Sequence, residues 1–295
     1  MLAGVAAICG GVDFSGAGRV PLAKTNAVPF IGMYHMGAES QSVARAVDIL
    51  ELLAENGTLG VRDIARRMEL SPTIVHRLLS TLASTGFAEQ APDTQKYRIG
   101  YRAFRIGCSF LSQNDLDRAS TPELVALAEQ HQVNSFLGVL RDHAVVYLKV
   151  VKSNGPIVIN NAPGSLALPH STAFGKVLLA ALPDKEVAEV MGREPYKKLT
   201  KKTKVSLRSL LTELREIRET GIAISDEENL NNVYSVGAAV RDATGAVIAS
   251  LSGAVPRQGL TKRDIDNLCG WVKDAADSVS RKMGAPPASL AMRGR

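Results

Sequence analysis

The chain has 295 residues, of which 45% are hydrophobic and 22% are charged, and its formal net charge is +6. This composition is typical of a soluble globular protein with more than one domain, and it excludes fibrous and largely disordered proteins. No apolar run approaches the roughly 18 residues of a membrane-spanning helix, so we expect no membrane association, and the basic excess mildly favours an anionic partner. Three widely separated cysteines, Cys9, Cys108 and Cys269, favour free thiols in a reducing cytoplasm over disulfides or a thiolate metal site.

Residues 1–39 differ in composition from the rest of the chain. The first 38 contain seven glycines and only three charged residues, Asp13, Arg19 and Lys24. The apolar start lacks the positive region that precedes the core of a secretory signal, so we predict a flexible tail. Met33 and Met36 are alternative starts, because the first strongly periodic segment begins just after them.

Three segments from residue 40 onwards have apolar residues at helical spacing, so we predict three helices. The first begins at Ser40 and ends at Asn56-Gly57, and the second occupies "VRDIARRM". The third begins at Pro72, with Ser71 as its N-cap, and ends at Gly86. In the first helix, the residues at helical spacing are Val43, Val47, Leu50, Leu53 and Ala54. The residues predicted to be buried are Val61, Ile64, Ala65 and Met68 in the second helix and Val75, Leu78, Leu79 and Leu82 in the third.

Two short extended runs, 87–90 and 97–99, follow the third helix and flank the turn-forming segment "APDTQK". The order helix, helix, tight turn, helix, hairpin predicts a winged helix-turn-helix domain over residues 40–102, whose third helix lies in the major groove of DNA. Hydroxyls and backbone N–H groups at the start of that helix suit phosphate oxygens, and imidazole or guanidinium groups reach guanine acceptors. The residues expected to contact DNA are Ser71, Thr73, His76, Arg77 and Ser80 on the helix and Lys96 and Arg98 on the wing.

Two observations leave an alternative open at this point. Helix-turn-helix geometry also occurs in protein-binding modules, and the stem of Arg77 could lie along the surface of its own domain. Between residues 39 and 105 there are nine basic and eight acidic residues, a net charge of only +1. Any basic footprint for DNA must therefore come from how these residues cluster.

Residues 118–284 have strand runs interrupted by helices. A helix is predicted with Thr121 as its N-cap and Pro122 at its first position, followed by an antiparallel hairpin around 141–143 and a third extended run, "PIVIN", at 156–160. Further helices are predicted at 172–182, 184–191 and 206–220, and strands at 222–226, 234–241 and 246–252, with a turn at 242–245. Hairpin connections of this kind predict an α+β domain on a mainly antiparallel sheet.

No catalytic constellation is visible in this second domain, and we predict neither a metal nor a cofactor. "AFGK" lacks the spacing of a phosphate-binding loop, and the five histidines lack metal-ligand spacing. The acidic run Asp226, Glu227 and Glu228 could perform acid–base chemistry if it were paired and desolvated, but we interpret it as a solvated strand end. Among the histidines of this second domain, His170 is the one in a region that we expect to be functional, and it could simply close a turn.

Several motifs, in order along the chain, resemble the IclR family of bacterial transcription regulators. They are "SVARAVDILELLAENG", "VRDIARRMEL", "VHRLLSTLASTGF", "YRIGYRAFRIG", "LPHSTAFGKVLLAALP" and "AAVRDATGAVIASLSGAVP", and the likeness extends to about residue 284. The resemblance implies a GAF-like effector-binding domain after the winged helix-turn-helix domain. Glu69 departs from the glycine usual in the turn, which questions the turn geometry, and Ile74 departs from the threonine usual early in the recognition helix, which suggests an altered operator preference.

The segment "LPHSTAFGK" is the predicted effector site. Ser171 and Thr172 carry hydroxyls where a helix begins, and the free N–H groups and dipole of that helix favour an anion such as a carboxylate. Leu168 and Phe174 would form apolar walls, with Ala173 between the polar and apolar positions. By resemblance, the family's pocket also includes Asp226, Val233, Ser235 and Ser252. The two serines could instead be ordinary strand hydroxyls.

Together these features predict a cytoplasmic transcription regulator, a repressor, that binds double-stranded operator DNA as a homodimer or tetramer and responds to a small-molecule effector, a carboxylate. The predicted parts are a tail or misassigned start (1–39), the winged helix-turn-helix domain (40–102), a linker helix (103–117), the effector-binding domain (118–284) and a flexible tail (285–295). The linker helix is expected to carry dimer contacts through Phe104, Cys108 and Leu111. The alternative is a metabolic enzyme or ligand-binding protein with a helix-turn-helix-like appendage, which a catalytic constellation would distinguish.

Overall fold

The computed structural model describes residues 40–112, 115–155, 159 and 161–286. The predicted tail at 1–39 lies outside the described residues, as do residues 287–295 of the second tail. Of the predicted extended run at 156–160, only Ile159 is described. The side chain of Leu111, predicted to make dimer contacts, also lies outside them.

The first part of the chain has the predicted order of elements. The helices are α1 (Gln41–Asn56), α2 (Val61–Met68) and α3 (Pro72–Ser84), and the strands are β1 (Ala88–Gln90) and β2 (Tyr97–Ile99). The two strands pair antiparallel, and Leu59 adds an isolated bridge to Tyr97. The core of this part is formed by Ile49, Leu53, Leu59, Ile64, Ala65, Val75, Leu78, Leu79, Leu82, Ala88 and Tyr97. The predicted winged helix-turn-helix fold is therefore confirmed.

The turn between α2 and α3 forms without the glycine usual there. Glu69 has φ 56° and ψ 37°, the left-handed conformation, and the N–H of Leu70 donates to the carbonyl of Ala65 at 3.0 Å. The hydroxyl of Ser71 then accepts a hydrogen bond from the N–H of Ile74, and Pro72 takes the first helical position, where its missing N–H costs nothing. Glu69 thus adopts the backbone geometry of a glycine at a conformational cost of about 1–2 kcal/mol.

Helical spacing alone did not identify the buried face of α1. Val43 and Val47 are exposed, as is Ala54, whereas Ile49 is fully buried together with Leu53. Helical spacing gives the period of the apolar residues, but the elements packed against the helix decide which of them are covered. In α1, contact with α3 and β2 covers Ile49 and Leu53 and leaves Val43 and Val47, in the first half of the helix, open to solvent.

The helical region after the wing differs from the prediction in its boundaries. Two helices occupy it, α4 (Tyr101–Ser112) and α5 (Asp115–His131), whereas we expected one linker helix to residue 117 and a new helix capped by Thr121. Thr121 is not an N-cap, because its hydroxyl donates to the carbonyl of Asp117 at 2.7 Å inside α5. Pro122 lies within the helix, which continues through it. Phe104 and Cys108 are exposed on α4.

The second part of the chain is built on a six-stranded sheet in the order β5-β4-β3-β8-β7-β6, in which all neighbours are antiparallel. The strands are β3 (Asn134–Arg141), β4 (Ala144–Val151), β5 (Leu166–Ala167), β6 (Ile222–Asp226), β7 (Val233–Arg241) and β8 (Val247–Pro256). Asp242 and Gly245 form the predicted turn between β7 and β8, in which the Asp242 carboxylate accepts from the N–H of Thr244 at 2.9 Å. The predicted antiparallel α+β architecture is confirmed.

Helices cover both faces of this sheet. On one face lie α5 and α9 (Lys262–Lys282), and on the other lie α6 (Ala173–Ala180), α7 (Asp184–Met191) and α8 (Leu207–Thr220). We did not predict α9, although Thr261 and Asp264 form a capping box at its start. The core of the first part contains residues from 46 to 99 only, and the cores around the sheet contain residues from 116 to 283 only. The two parts of the chain therefore have separate cores. The exact domain boundaries at 40–102 and 118–284 stay predictions.

Candidate functional site

The outer face of α3 carries the residues predicted to contact DNA. Its inner face is closed, because Val75, Leu78, Leu79 and Leu82 are buried in the core. The predicted contact residues are all exposed: Ser71, Thr73, His76, Arg77 and Ser80. Ile74 is half-buried against the core, so it offers no polar group at the position where the family usually has threonine. The outer face of α3 therefore presents hydroxyl, imidazole and guanidinium groups, which are the donors and acceptors that phosphates and base edges require.

The wing presents its two predicted cations differently. Lys96 is exposed and has no ion pair within the part of the chain that the structure describes. Arg98 donates through Nη2 to Glu89 Oε2 at 3.1 Å, so its charge is partly neutralised across the hairpin. Arg102, just beyond the wing, is fixed in place because it donates to the carbonyl of Thr85 at 3.1 Å and lies over the ring of Phe87.

A cavity of about 30 Å³ lies in the second part of the chain, between the start of α6 and the sheet. It is lined by Phe136, Tyr147, Ile159, Asn161, Thr172, Phe174, Ser225, Asn229, Leu230, Val233, Ser235, Ser252 and Ala254. These residues come from β3, β4, the segment between β4 and β5, the N-cap and first turn of α6, β6, the segment between β6 and β7, and strands β7 and β8. None of these lining residues is acidic or basic, so the cavity surface combines apolar groups with neutral hydroxyls and amides.

Five of the nine predicted effector-binding residues line this cavity: Thr172, Phe174, Val233, Ser235 and Ser252. Leu168, Ser171, Ala173 and Asp226 do not line it. Ala173 packs directly against β7, where a Cβ at Gly237 would lie 2.8 Å from the Ala173 carbonyl carbon. Ser171 lies just behind the wall, since its hydroxyl donates to the side-chain oxygen of Asn229 at 3.2 Å.

Asp226 is held outside the cavity by two cations. Its Oδ1 accepts from Nε of Arg257 at 2.9 Å, and its Oδ2 lies 3.4 Å from Nζ of Lys202. The carboxylate therefore belongs to a half-exposed ion-pair cluster at the end of β6, and its charge is balanced there. This placement removes the charge that would have opposed an anion in the cavity.

The remaining cavity residues were missed by the sequence analysis. They are Phe136, Tyr147, Ile159, Asn161, Ser225, Asn229, Leu230 and Ala254. Strand alternation carried a signal for two of them, because Phe136 and Tyr147 point to the opposite side of the sheet from the core residue Leu137. Asn161, Asn229 and Leu230 come from irregular segments, for which no periodic pattern exists.

The hydroxyls around the cavity divide into two groups by what they already bond. Ser171 and Thr172 both donate to the carbonyl of Leu168, at 3.3 and 3.1 Å, so their protons are already used. Tyr147 accepts a hydrogen bond from the amide of Asn161 at 2.8 Å, and burial raises the pKa of its phenol to about 12. Its proton is retained and remains available to a ligand. The hydroxyls of Ser235 and Ser252 have no hydrogen-bond partner among the residues described.

The aromatic rings that line the cavity are in mutual contact. The ring centroid of Tyr147 lies 5.6 Å from that of Phe136 and 4.9 Å from that of Phe174. Gly138 makes this packing possible, because a Cβ there would lie 2.5 Å from the Phe174 ring. The apolar wall is thus a packed aromatic cluster.

A buried ion-pair cluster lies directly behind the cavity. Lys176 on α6 is fully buried, and its ammonium donates to Glu228 at 2.8 Å and to Glu213 at 2.7 Å. Glu228 itself is buried, so the expectation that the acidic run is solvated was wrong at this residue. Lys204 joins both carboxylates, at 3.0 and 3.3 Å. Although burial opposes its charge, the two glutamates hold the pKa of Lys204 above its ordinary value.

His170 is buried beside this region, where its Nε2 lies 3.0 Å from the carbonyl of Lys197. Burial lowers the pKa of this imidazole, and the positive charge of Lys176 lowers it further, against the hydrogen bond to Lys197. A neutral imidazole is therefore favoured in the folded protein. Its ring packs against Tyr196, with centroids 5.4 Å apart, so His170 ties the segment before α6 to the segment after α7.

The described residues contain no group of three histidine, cysteine or carboxylate side chains that could hold a metal ion. Among the helices that they form, none is both long and apolar enough to cross a membrane.

Comparison with known proteins assigns both parts of the chain. Residues 42–92 match the IclR helix-turn-helix domain, and residues 108–281 match the family described as bacterial transcriptional regulator IclR C-terminal. The HTH-type transcriptional regulator XynR of Escherichia coli is 30% identical over 247 residues, which cover 83% of this chain and 98% of that protein. The transcriptional repressor IclR of Escherichia coli is 27% identical over 265 residues, which cover 89% and 97%.

A solved structure shares the fold. The crystal structure of an IclR-type transcriptional regulator from Alicyclobacillus acidocaldarius matches with a TM-score of 0.75 and 26% identity, over 83% of this chain and 100% of that one. These proteins are transcription regulators, so the prediction of a DNA-binding regulator rather than an enzyme is confirmed. The chain belongs to the IclR family of bacterial transcriptional regulators.

Proposed function

We propose that this regulator is a repressor that binds operator DNA as a homodimer or tetramer and releases it when a small carboxylic acid enters the cavity between α6 and the sheet. The observation that carries the proposal is the cavity itself, which has both an apolar wall and hydroxyl groups whose protons are free to donate to a ligand. The similarity to the transcriptional repressor IclR of Escherichia coli supports the repressor role.

The chemistry of the cavity favours a carboxylate among small ligands. Tyr147, Ser235 and Ser252 carry O–H groups that are free to donate, and the start of α6 adds its dipole. No acidic side chain lines the cavity to repel an anion. Phe136 and Phe174 cover the carbon atoms of the ligand. The volume of about 30 Å³ favours acids of two or three carbons, because a cavity that holds a benzene ring measures about 150 Å³.

Release of DNA requires the acid to bind two arrangements of the regulator with different affinities. An acid changes operator affinity only if it binds one arrangement of the regulator more tightly than the other. A coupling free energy of about 1–3 kcal/mol would change operator affinity roughly 5- to 150-fold. Asn229 and Leu230, from the segment between β6 and β7, line the cavity, so a ligand in it would contact that segment.

The exposed apolar residues of α1 and α4 supply a surface for a second copy of the chain. They are Val43 and Val47 on α1 and Tyr101, Phe104 and Ile106 on α4, all at least 48% exposed. Apolar side chains left open in such numbers mark interaction surfaces more often than free surface. Two DNA-binding domains held together would place two copies of α3 on successive major grooves.

The oligomer can be tested without ligand or DNA. Val47→Glu and Phe104→Glu place a charge in the exposed apolar surface and should lower the molar mass measured by sedimentation equilibrium. Leu166→Glu, at an exposed apolar residue of β5, is the matched control and should leave the mass unchanged. A monomeric wild-type chain would overturn the oligomer part of the proposal.

The function is tested by binding and release together. The full chain should shift DNA fragments from upstream of its own gene at low salt, and acetate, glycolate, lactate and benzoate should be titrated into the complex. We expect release by one of the smaller acids and loss of that response in Ser252→Ala or Tyr147→Phe. Ser250→Ala, on the same strand but outside the cavity lining, is the control.

Three results would contradict the proposal. Absence of any shift at low salt would reject specific binding to these fragments. Tighter DNA binding in the presence of the acid would reject release by the effector. An acid response that survives in both cavity variants would place the effector site elsewhere.

A further inference from the structure

Lys176 stands out in this molecule because it is a lysine with no exposed surface. Its ammonium has three donors, and each finds an acceptor: Glu213 at 2.7 Å, Glu228 at 2.8 Å and the carbonyl of Ile224. The three acceptors belong to α8, to the segment after β6 and to β6 itself. One charge therefore joins three separate pieces of the chain to α6.

Two of these acceptors are the immediate neighbours of cavity residues. Ile224 precedes Ser225, and Glu228 precedes Asn229, both of which line the cavity. Lys176 itself follows Phe174 by two residues on α6, and Phe174 lines the same cavity. The ammonium thus lies at the meeting point of three walls of the cavity without lining it.

The segment between β6 and β7 also has contacts elsewhere: Lys204 Nζ lies 3.3 Å from Glu228 Oε2, and the Asn232 carbonyl accepts from the N–H of Arg257 at 3.0 Å. Thr200 and Thr203 donate their hydroxyls to the carbonyls of Glu227 and Glu228, each at 2.6 Å. On the cavity side, Asn229 accepts from Ser171 at 3.2 Å, and Leu230 is 44% exposed although it is apolar. The contact of Lys176 with Glu228 ties this segment to α6 two residues after β6 ends, next to the cavity residue Asn229.

Stability alone does not account for a lysine in this place. Removing an ammonium from water costs several kcal/mol, and apolar residues of similar volume often stabilise such a site as well as an ion pair does. Lys176, Lys204, Glu213 and Glu228 form a cluster with no net charge, in which the two lysines share both carboxylates. Such a cluster has defined geometry, because each charge is costly to leave unpaired.

We propose that Lys176 is a positioning residue of the effector site. Through Glu228 and Ile224 it holds their neighbours Asn229 and Ser225 in place. These two residues then face Thr172 and Phe174 around the ligand. The proposal rests on the proposed function of the cavity. Lys176 does not touch the ligand, and its effect on affinity comes from the order it imposes on the cavity wall.

Hydrogen–deuterium exchange of the full chain without ligand tests the positioning step directly. In Lys176→Met, the amides of residues 228–233 should exchange about 10-fold faster or more, because their segment loses its tie to α6, while the β7–β8 ladder keeps its protection. Lys282→Met is the matched control, since it removes an ion pair with Glu123 that lies away from the cavity lining. Glu228→Gln is the second variant if Lys176→Met does not fold, and it should loosen the same segment.

Isothermal titration with acetate, glycolate and lactate tests the consequence for the ligand. The acid that binds the wild type should bind Lys176→Met or Glu228→Gln about 10-fold more weakly, and Lys282→Met with unchanged affinity. Unchanged exchange at 228–233, or exchange that rises evenly over the whole sheet, overturns the proposal. Local loosening with unchanged acid affinity overturns it as well. If no acid binds even the wild type, the proposed function fails, and the exchange experiment still decides whether Lys176 orders the cavity wall.

Discussion

Glu89 and Arg98 face each other across the wing, and Nη2 of Arg98 lies 3.1 Å from Oε2 of Glu89. Both side chains are substantially exposed, so the pair contributes only about 0.2–1 kcal/mol and opens readily when a phosphate approaches. Lys96, two residues before Arg98 on the same hairpin, has no carboxylate partner among the described residues. The two cations of the wing should therefore contribute unequally to DNA binding.

The first prediction follows from this inequality. A plot of the logarithm of the DNA-binding constant against the logarithm of the salt concentration has a slope that becomes steeper with each phosphate contact. Lys96→Ala should make this slope shallower by about 0.9, the value for one contact, and Arg98→Ala should change it less. Glu89→Gln should strengthen DNA binding, because it releases Arg98 and still offers an acceptor to the N–H of Tyr101. Fluorescence anisotropy at several salt concentrations gives the slopes, with Lys273→Ala as the control. Equal slopes for the two wing variants would contradict the prediction.

The second prediction separates base recognition from phosphate binding. Thr73→Ala and His76→Ala should change which operator bases matter, by about 1–3 kcal/mol for each base contact that is lost. Lys96→Ala should weaken all sequences alike, because a phosphate contact carries no sequence information. Competition of each variant against a library of single-base operator changes measures both effects. A wing variant that alters base preference while the helix variants do not would show that α3 is docked in another orientation.

The third prediction concerns the turn at Glu69. With φ at 56° the residue is in the left-handed region, so Glu69→Gly should raise the free energy of unfolding of the first domain by about 1 kcal/mol. Glu55→Gly, at an exposed position within α1, is the control and should lower it by about 1 kcal/mol. Native-state hydrogen exchange of α2 and α3 amides reports these changes. A Glu69→Gly variant no more stable than the wild type would refute the assigned backbone conformation.

The fourth prediction concerns the close approach of β3 and α6. Gly138→Ala places a Cβ 2.5 Å from the Phe174 ring, so it should lower the free energy of unfolding by about 1–3 kcal/mol through overpacking. Adding Phe174→Leu should recover part of this loss, since the two positions share one contact. Gly270→Ala, where the added methyl meets nothing within 4 Å on α9, should stabilise slightly. Urea unfolding is measured for the wild type, Gly138→Ala, Phe174→Leu, their double variant and Gly270→Ala, and additive effects of Gly138→Ala and Phe174→Leu would contradict the prediction.

The fifth prediction is a loss of stability in mild acid. Because burial lowers the pKa of His170 below its ordinary 6.5, the unfolded chain binds more protons than the folded one between these two values. The free energy of unfolding should therefore be at its full value above about pH 6.5 and fall as the pH decreases below it. His170→Asn should be less stable near pH 7.5 but less sensitive to acid. Urea unfolding from pH 5 to 8 tests this, with His76→Asn as the surface control, and an equally steep decrease in both variants would exclude His170 as the source.

Local chemistry was enough to predict the DNA-binding domain. Ser71, Pro72 and Gly86 mark the ends of α3, and its apolar spacing places Val75 and Leu79 inward and Thr73 and His76 outward. A helix of this kind is defined by interactions between residues three or four positions apart, so a single sequence records it. The exposed face of α1 was not predictable in the same way, because it depends on which elements pack against it.

Fewer than half of the residues that line the cavity were recoverable from the sequence. Thr172, Phe174 and Ser252 lie in motifs that resemble a known family, whereas Asn229 and Leu230 reach the cavity because the segment after β6 folds back over it. The acidic run illustrates the limit most clearly. Three adjacent carboxylates look alike in the sequence, yet Asp226 pairs with Arg257, while Glu228 is buried against Lys176, 52 positions away along the chain.

The sequence by itself determined the family, the order of most elements and the exposed residues of α3, because these depend on local spacing, capping and recognisable motifs. Only the tertiary structure decided which charges are buried, which hydroxyls keep a proton for a ligand, and which residues line the cavity. The physical reason is that burial and pairing arise from contacts between distant parts of the chain, and the cost of an unpaired charge is fixed by its surroundings rather than by its neighbours in sequence.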